Sequence, residues 1–181
     1  MAETAAALDI KPLFSAERIS ERVEQLGGEI AAARLKELII VAVLKGSFIF
    51  AADLIRALHR QGLEPEIDFM FLASYGTGTH SSGEVEVLRE VESKVEGRDV
   101  LIIDDILDSG RTLAFAKAFL EARGARKVAT CVLLDKQVPR AAAIVPDFIG
   151  FRCPPVFVVG YGTDLARRYR ELPFIGQVAD K

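Results

Sequence analysis

The residues best suited to carry chemistry lie in one stretch, residues 100–113. A short apolar run there ends in two carboxylates, Asp104 and Asp105, and a turn then leads into a helical pattern. The turn contains small and hydroxyl-bearing residues, Ser109, Gly110 and Thr112. Small residues let backbone N–H groups converge on one point, and the amino end of a helix adds a partial positive charge there. The stretch therefore predicts a phosphomonoester site built mainly from neutral donors.

The two best-known nucleotide-binding patterns do not describe this turn. A Walker A loop needs a glycine five positions before Gly110, where Asp105 stands. The dinucleotide pattern Gly-x-Gly-x-x-Gly could begin at Gly76 and Gly78, but its last position is Ser81. The predicted phosphate site is therefore of another kind.

A third carboxylate, Asp108, lies inside the turn. Three acids would repel a phosphate placed directly on them, so they must face something else, such as ribose hydroxyls, a divalent cation or a developing positive charge. Alternatively, the first two acids could end the strand and Asp108 could cap the helix. Three acids, a glycine and two hydroxyls within nine residues favour the functional interpretation.

The flanking sequence predicts elements that could position this turn. Residues 1–12 look like a loose arm, and Ser15 can cap a helix that runs to about Lys36. The patterns further predict buried strands at 37–44, 100–103, 127–134 and 157–159, helices at 48–60 and 112–123, and a hairpin of strands 66–72 and 84–88 around a long mobile loop, 73–83. Such alternation indicates an α/β fold with a mainly parallel sheet, in which ligands bind beyond the carboxyl ends of the strands. The loops to consider follow Leu44, Ile103, Leu134 and Val159.

Composition narrows the function classes. A chain of 181 residues predicts one domain, and 50% hydrophobic with 27% charged residues excludes a disordered chain. The net charge of −3 argues against a protein that binds nucleic acid through phosphate attraction. The longest apolar run, near residues 38–44, is far below the ~20 residues of a membrane span. The amino terminus lacks the pattern of a secretion signal. Two cysteines and two histidines predict reduced thiols and neither a disulfide framework nor a zinc site.

At these residues the chain resembles the phosphoribosyltransferases, whose signature is an apolar strand, two acids and a short loop ending Ser/Thr-Gly-x-Thr. More narrowly, it is similar to the bacterial hypoxanthine-guanine phosphoribosyltransferases from about residue 13 to residue 178. The resemblance includes residues 43–48, 74–79, 104–112, 134–136, 146–151 and 157–164. It implies a type I phosphoribosyltransferase-like fold in a single domain, 1–181. That fold has a mainly parallel central sheet with flanking helices at about 37–145, and a small hood from about 1–20 and 146–181, with a flexible hairpin loop.

The resemblance also implies an activity. The chain would transfer ribose 5-phosphate from phosphoribosyl pyrophosphate to N9 of hypoxanthine, and of guanine, to give IMP or GMP and pyrophosphate. Mg²⁺ would be required. Such an enzyme would serve purine salvage in the cytoplasm as a homodimer or homotetramer, with no nucleic-acid or membrane partner.

Roles for individual residues follow from the same resemblance. The 5-phosphate would bind the loop formed by Asp108, Ser109, Gly110, Arg111 and Thr112, and Asp108 would also be the catalytic proton shuttle beside purine N7. Asp104 and Asp105 would face the ribose and a hydrated Mg²⁺, and Asp164 would ligate a second Mg²⁺. Pyrophosphate would bind Lys45, Gly46 and Arg170, with an unusual peptide geometry at the Lys45-Gly46 turn. The purine would bind Lys136, Phe157 and Val158, under a lid that contacts the substrate through Ser74 and Tyr75.

Several of these residues have ordinary alternatives. Lys45 and Gly46 could form a simple turn between strand and helix, Lys136 could be a solvated surface lysine, and Phe157 could be a core aromatic. Arg170 could belong to a solvated basic face, and the lid could be an inconsequential hairpin tip. Two positions depart from the family: Asp104 stands where the hypoxanthine enzymes usually have Glu, and Ser109 where Thr is more usual.

Two other functions compete with the enzyme. An RNA-binding regulator of pyrimidine-operon type on the same fold needs a basic face and usually lacks the loop acid, whereas this chain is acidic and has Asp108. A receiver-like signalling domain could use Asp104 and Asp105 as a phosphorylatable pair, but it gives the Ser109–Thr112 loop no role.

Overall fold

The computed structural model describes residues 9–74 and 85–179. In these residues nine strands and three helices follow one another: β1 (Ile10–Phe14), α1 (Ala16–Ala32), β2 (Ile39–Leu44), α2 (Phe48–Arg60), β3 (Glu66–Ser74), β4 (Val85–Arg89), β5 (Asp99–Leu107), α3 (Arg111–Ala122), β6 (Lys127–Lys136), β7 (Phe148–Cys153), β8 (Val158–Val159) and β9 (Ile175–Val178). None of the described helices is long and apolar enough to cross a bilayer.

Six of the strands form the central sheet, in the order β4-β3-β2-β5-β6-β7. Every neighbouring pair is parallel except β3 with β4, which form the predicted antiparallel hairpin. The α/β fold with a mainly parallel sheet is therefore confirmed. Because β2, β5 and β6 are adjacent, their carboxyl ends lie side by side at one edge of the sheet.

Alternate side chains of the sheet pack on opposite faces, as the pleat requires. On one face Ile40, Ala42 and Ile103 join the core formed with α1 and α2. On the other face Ile39, Val41 and Ile102 join the core formed with α3. Both faces are covered, which explains why these strands are continuous apolar runs rather than alternating ones.

The hood is a separate antiparallel sheet in the order β1-β9-β8. Two predictions fail here. Part of the expected loose arm is strand β1, in which Pro12 is tolerated because β1 is an edge strand. The expected fourth parallel strand at 157–159 is only β8, and it pairs with β9 in the hood instead of joining the central sheet.

Other element boundaries also differ from prediction. Strand β7 was missed, and it extends the central sheet from within the segment expected to build the hood. Helix α1 ends at Ala32 rather than near Lys36, although it continues through Gly27. A Cβ at Gly27 would lie 3.1 Å from the Cβ of Ala57, so the glycine allows α1 and α2 to pack closely.

Strands β5 and β6 extend beyond their predicted ends. Their parallel pairing continues through Asp104 opposite Val132 and Ile106 opposite Leu134. Backbone pairing with a neighbouring strand therefore holds polar residues in strand conformation where the apolar pattern has already stopped. As a result, Asp104 and Asp105 project from a strand rather than from a loop, and Lys136 is the last residue of β6.

Candidate active site

The loop between β5 and α3 has the geometry expected of an anion site. Gly110 caps the helix with a left-handed backbone, φ +80°, and its carbonyl accepts the first helical bond from Ala114 at 2.9 Å. Within the described part of the chain, the backbone amides of Ser109 and Gly110 donate to no other backbone group. The amides of the first helical turn likewise have no partner inside the helix, although that of Arg111 donates to the Ser109 hydroxyl at 3.5 Å. This loop therefore presents several donors toward open space.

That open space is a cleft of about 480 Å³ at the carboxyl end of the sheet. We call it the phosphate cleft. It brings together eight residues of the predicted site: Lys45, Gly46, Asp104, Asp105, Asp108, Ser109, Gly110 and Thr112. Arg111, the first residue of α3, is not among the residues that line this cleft.

The two neighbouring carboxylates at the end of β5 differ in exposure. Asp104 is buried, at 6% exposure, and Asp105 is half-buried. Burial, followed by repulsion from Asp105, raises the pKa of Asp104 well above its ordinary value. Burial also raises the pKa of Asp105, whereas the positive charge of Arg170 lowers it. Burying these two adjacent carboxylates lowers the stability of the fold, and such perturbed groups are typical of functional sites.

Asp104→Asn is expected to stabilise the protein at neutral and alkaline pH. A carboxyl with a raised pKa in the folded state carries no penalty below its unfolded pKa, and the penalty grows as pH rises from the unfolded pKa to the folded pKa, above which it is complete. The melting temperature of the variant should therefore exceed that of the wild type at pH 8, by about 2–4 °C for each kcal/mol relieved. The difference should shrink toward pH 4. A matched Glu90→Gln control, which removes an exposed acid, should show no such pH-dependent gain. A variant that melts below the wild type at pH 8 would contradict the assigned penalty.

The turn after β2 closes the other side of the cleft. Its Leu44–Lys45 peptide bond is cis, one bond before the position where unusual geometry was expected. A Cβ on Gly46 would lie 1.7 Å from Oδ2 of Asp105, so any other residue there would displace the Asp105 carboxylate. The Ser47 hydroxyl, fully buried, donates to the Val43 carbonyl at 2.6 Å and fixes the turn. The Lys45 ammonium lies 5.2 Å from the centre of the Phe71 ring.

A second cavity of about 210 Å³ adjoins the phosphate cleft, and both are lined by Asp105, Ile106 and Asp108. We call it the base pocket. It also collects the predicted purine-binding residues Lys136, Phe157 and Val158, together with Asp164. The Lys136 ammonium donates to Oδ2 of Asp108 at 3.2 Å. Phe157 is 48% exposed, so it is no core aromatic, and its ring is available for stacking.

Asp164 and Arg170 bind each other across the base of the hood. The Arg170 guanidinium lies 2.6 Å from Oδ1 of Asp164, while Oδ2 accepts from the Arg167 amide at 2.7 Å. Arg170 also donates to the Gly162 carbonyl. Gly162 in turn sits against the turn after β2, because a Cβ there would lie 2.1 Å from the Gly46 carbonyl oxygen. The hood thus contacts the turn after β2 directly.

The aspartates predicted to bind two Mg²⁺ ions, Asp104 with Asp105 for one and Asp164 for the other, do not form a ready-made cage. Within residues 9–74 and 85–179, no three His, Cys, Asp or Glu side chains gather closely enough to hold an ion by themselves. The donors nevertheless suit Mg²⁺, because this ion prefers oxygen ligands and usually combines one or two protein carboxylates with substrate phosphates and waters. The adjacent carboxylates of Asp104 and Asp105, whose pKa values are both raised by burial, fit that arrangement.

The predicted lid lies largely outside the residues that the structure describes. Strand β3 ends at Ser74, and Tyr75 lies outside the described residues.

Some residues of the site were missed from the sequence. Ile106 lines both cavities, and Thr163 lines the base pocket. The Thr163 hydroxyl donates to the Gly160 carbonyl at 2.9 Å and shapes the turn that leads to Asp164. In the sequence, only the glycines on either side of Tyr161 indicated an unusual backbone in this turn. In the structure, Tyr161 itself has φ +47°.

Comparison with known proteins agrees with this geometry. The phosphoribosyl transferase domain family matches residues 13–165. The hypoxanthine-guanine phosphoribosyltransferase of Bacillus subtilis is 45% identical over 167 residues, covering 92% of this chain and 91% of that protein. The bifunctional protein TilS/HprT of Listeria innocua is 46% identical over 167 residues, although the chain spans only 25% of its length. A crystal structure of a hypoxanthine phosphoribosyltransferase from Staphylococcus aureus matches with a TM-score of 0.88 at 38% identity, covering 95% of this chain and 92% of that one.

Proposed function

Since the chain belongs to the phosphoribosyltransferase family, in its hypoxanthine-guanine branch, we propose that it makes IMP or GMP from phosphoribosyl pyrophosphate and a 6-oxopurine, releasing pyrophosphate. One observation carries the proposal: the phosphate cleft and the base pocket share Asp105, Ile106 and Asp108. A sugar phosphate and a purine bound in the two cavities would therefore meet at these residues. The competing RNA-binding regulator has no support among the relatives.

The 5-phosphate is the unreactive end of the sugar, and it serves as an anchor. The amides and hydroxyls of residues 108–112 would hold it at the amino end of α3, where the helix contributes a partial positive charge. Anchoring one end of the substrate places the reacting carbon in a fixed position, which removes much of the entropic cost of the encounter. Asp104 and Asp105 would then face the ribose hydroxyls.

Bond breaking separates charge, with positive charge on the ribose and negative charge on the departing pyrophosphate. The two carboxylates at the end of β5 are fixed beside the ribose and can stabilise its positive charge. The amides of the turn containing Lys45 and Gly46, together with Arg170, would bind the pyrophosphate. Arg170 is paired with Asp164, so it would exchange that partner for the pyrophosphate.

Magnesium, when bound, would neutralise charge on the pyrophosphate and favour its departure. Asp104 and Asp105 would hold it on the ribose side, and Asp164 would hold a second ion.

The purine would bind with its N7 and 6-oxo edge toward Asp108 and Lys136. N7 and the 6-oxo group are neighbours on a 6-oxopurine, so N7–H would donate to Asp108 while the 6-oxo oxygen accepts from Lys136, whose ammonium lies 3.2 Å from the Asp108 carboxylate. As N9 forms its bond to the ribose, the ring becomes more acidic, and Asp108 would take the proton from N7. Phe157 would stack on the ring, and the Val158 backbone would bind its far edge. Ser74 and Tyr75 would close over the site and exclude water.

Lys136→Ala should abolish the preference for 6-oxopurines. A lysine ammonium can donate to a 6-oxo group but cannot accept from a 6-amino group, so adenine leaves one of its N–H donors without an acceptor in a pocket where Lys136 is only 14% exposed. We expect kcat/KM for hypoxanthine to fall about 100-fold or more, with much less change for adenine. Lys94→Ala, which removes an exposed lysine, serves as the control. An unchanged ratio of hypoxanthine to adenine activity would remove the assignment.

The function itself is tested by steady-state assays with hypoxanthine, guanine, xanthine and adenine, each with phosphoribosyl pyrophosphate and Mg²⁺. Turnover of hypoxanthine or guanine with release of pyrophosphate is expected. Turnover of adenine alone, or none with any base, together with salt-sensitive RNA binding, would contradict the proposal.

We further propose a homodimer or homotetramer that works in the cytoplasm, on small-molecule substrates and not on nucleic acid or membranes. An apolar groove lined by Ile55, Leu63, Pro65 and Ile67 supports self-association, as does the exposure of Phe69 on β3 and Leu88 on β4. Light scattering during size-exclusion chromatography measures the assembly. The buried free thiols of Cys131 and Cys153 agree with a reducing compartment.

A further inference from the structure

Residues 137–144, which follow β6, lie behind the loop of residues 108–112 between β5 and α3, which we call the phosphate loop, and they have no role in the mechanism above. The chain turns back there across the β5–α3 connection. The amides of Ala141 and Ala142 both donate to the Ser109 carbonyl oxygen, at 3.0 and 3.1 Å. This carbonyl belongs to the peptide group that joins Ser109 to Gly110, inside the proposed 5-phosphate site.

The two hydrogen bonds decide which way that peptide group faces. In a planar trans peptide the C=O and N–H groups point in opposite directions. Holding the Ser109 carbonyl against residues 141–142 therefore turns the Gly110 N–H away from them, toward the phosphate cleft. The contact is close, because a Cβ on Gly110 would lie 2.9 Å from the Ala142 carbonyl oxygen and 3.1 Å from Cγ2 of Ile144.

A largely buried ion pair holds the supporting segment in place. The Arg140 guanidinium donates to the Asp135 carboxylate and, at 2.9 Å, to the Ile144 carbonyl oxygen. Asp135 is 6% exposed and belongs to β6, opposite Leu107 of β5. Arg140 thus ties both ends of the short segment 140–144 to the rigid sheet, and its planar guanidinium suits two simultaneous acceptors.

We propose that Asp135 and Arg140 are positioning residues for the 5-phosphate. Their ion pair fixes residues 140–144, and this segment orients the Ser109–Gly110 peptide so that its N–H faces the ligand. The inference rests on the proposed function, because it assigns the phosphate loop to a sugar phosphate. Neither side chain lines the phosphate cleft, so neither contacts the ligand.

Affinity for IMP and for inosine, measured by calorimetry, separates this role from general stability. The two ligands differ only in the 5-phosphate. Arg140→Gln is compared with Arg126→Gln, because Arg126 also binds one carboxylate (Asp99, 2.9 Å) and one backbone carbonyl (Lys36, 3.3 Å). This control pair lies at the amino end of β5, the opposite end of the strand from the phosphate loop.

Arg140→Gln should weaken IMP binding about 10-fold, equivalent to about 1.4 kcal/mol, and inosine binding less than about 2-fold. Its KM for phosphoribosyl pyrophosphate should rise about 10-fold, with kcat and the KM for hypoxanthine nearly unchanged. Asp135→Asn, a milder change, should shift the IMP-to-inosine ratio in the same direction if Arg140→Gln does not fold.

The control variant should keep the wild-type ratio, even if it melts at a lower temperature. An unchanged ratio in both Asp135→Asn and Arg140→Gln overturns the positioning role and leaves the enzyme assignment intact. An equal fall in Arg126→Gln also overturns it, since the effect would then follow from lost stability. A wild type that binds IMP no more tightly than inosine overturns this inference and the proposed function together.

Discussion

Asp108→Asn is expected to lower kcat by a factor of about 10²–10⁴, the usual contribution of a positioned general acid or base. Asparagine keeps the size of the side chain and all the backbone donors of the loop, but it cannot take a proton from N7. The Asp108 side chain is 55% exposed and lies at the junction of the two cavities, so the substitution creates no buried, unpaired group. Pre-steady-state and steady-state rates of IMP formation measure the effect.

Binding should change far less than turnover in this variant. The dissociation constant of IMP should stay within about 3-fold of the wild type, because the loss concerns an interaction used in the transition state. Glu90→Gln, at an exposed acid paired with Arg123, gives the background effect of neutralising a surface carboxylate. Equal losses in kcat and in IMP affinity would contradict the proton-shuttle role and assign Asp108 to phosphate binding alone.

Removal of Mg²⁺ should abolish the transfer reaction. Pyrophosphate leaves with several negative charges beside the carboxylates of Asp104 and Asp105, which both line the phosphate cleft. Without a divalent cation, the carboxylates repel the negative charge of the departing pyrophosphate, and no metal neutralises it. Activity in excess EDTA is expected to fall at least about 100-fold and to return when Mg²⁺ is added beyond the chelator.

The metal assignment has its own internal check. Asp164→Asn should raise the Mg²⁺ concentration that gives half-maximal activity, whereas Glu90→Gln should leave it unchanged. Full activity in EDTA, or an unaltered Mg²⁺ requirement after substitution of both Asp104 and Asp164, would remove the role given to these aspartates.

The sequence predicted the structure best where a single contiguous pattern determines the local fold. The apolar run before Asp104, the small residues of the turn and the following helix are contiguous, so the β5–α3 connection could be predicted correctly. Lys136 could be placed near Asp108 for a similar reason, because the ends of neighbouring parallel strands must lie together.

Long-range contacts explain what the sequence could not show. Strand β7 is short and contains Gly150, whose approach to Leu133 on β6 leaves no space for a side chain. Residues 157–159 look like a buried parallel strand, but their pairing depends on β9, which follows some 17 residues later. The ion pair between Asp135 and Arg140 likewise depends on how the chain folds back across the phosphate loop, and a solvated arginine would have the same sequence pattern.

The proposed function depends most on phosphate binding by the amides of the β5–α3 loop. A crystal structure with IMP bound tests this binding most directly. The phosphate oxygens should lie within hydrogen-bonding distance, ~2.7–3.2 Å, of the amides between Ser109 and Thr112. The ribose should face Asp104 and Asp105, and the 6-oxo group should face Lys136. A phosphate bound elsewhere, with the Gly110 N–H covered by protein atoms, would contradict the account.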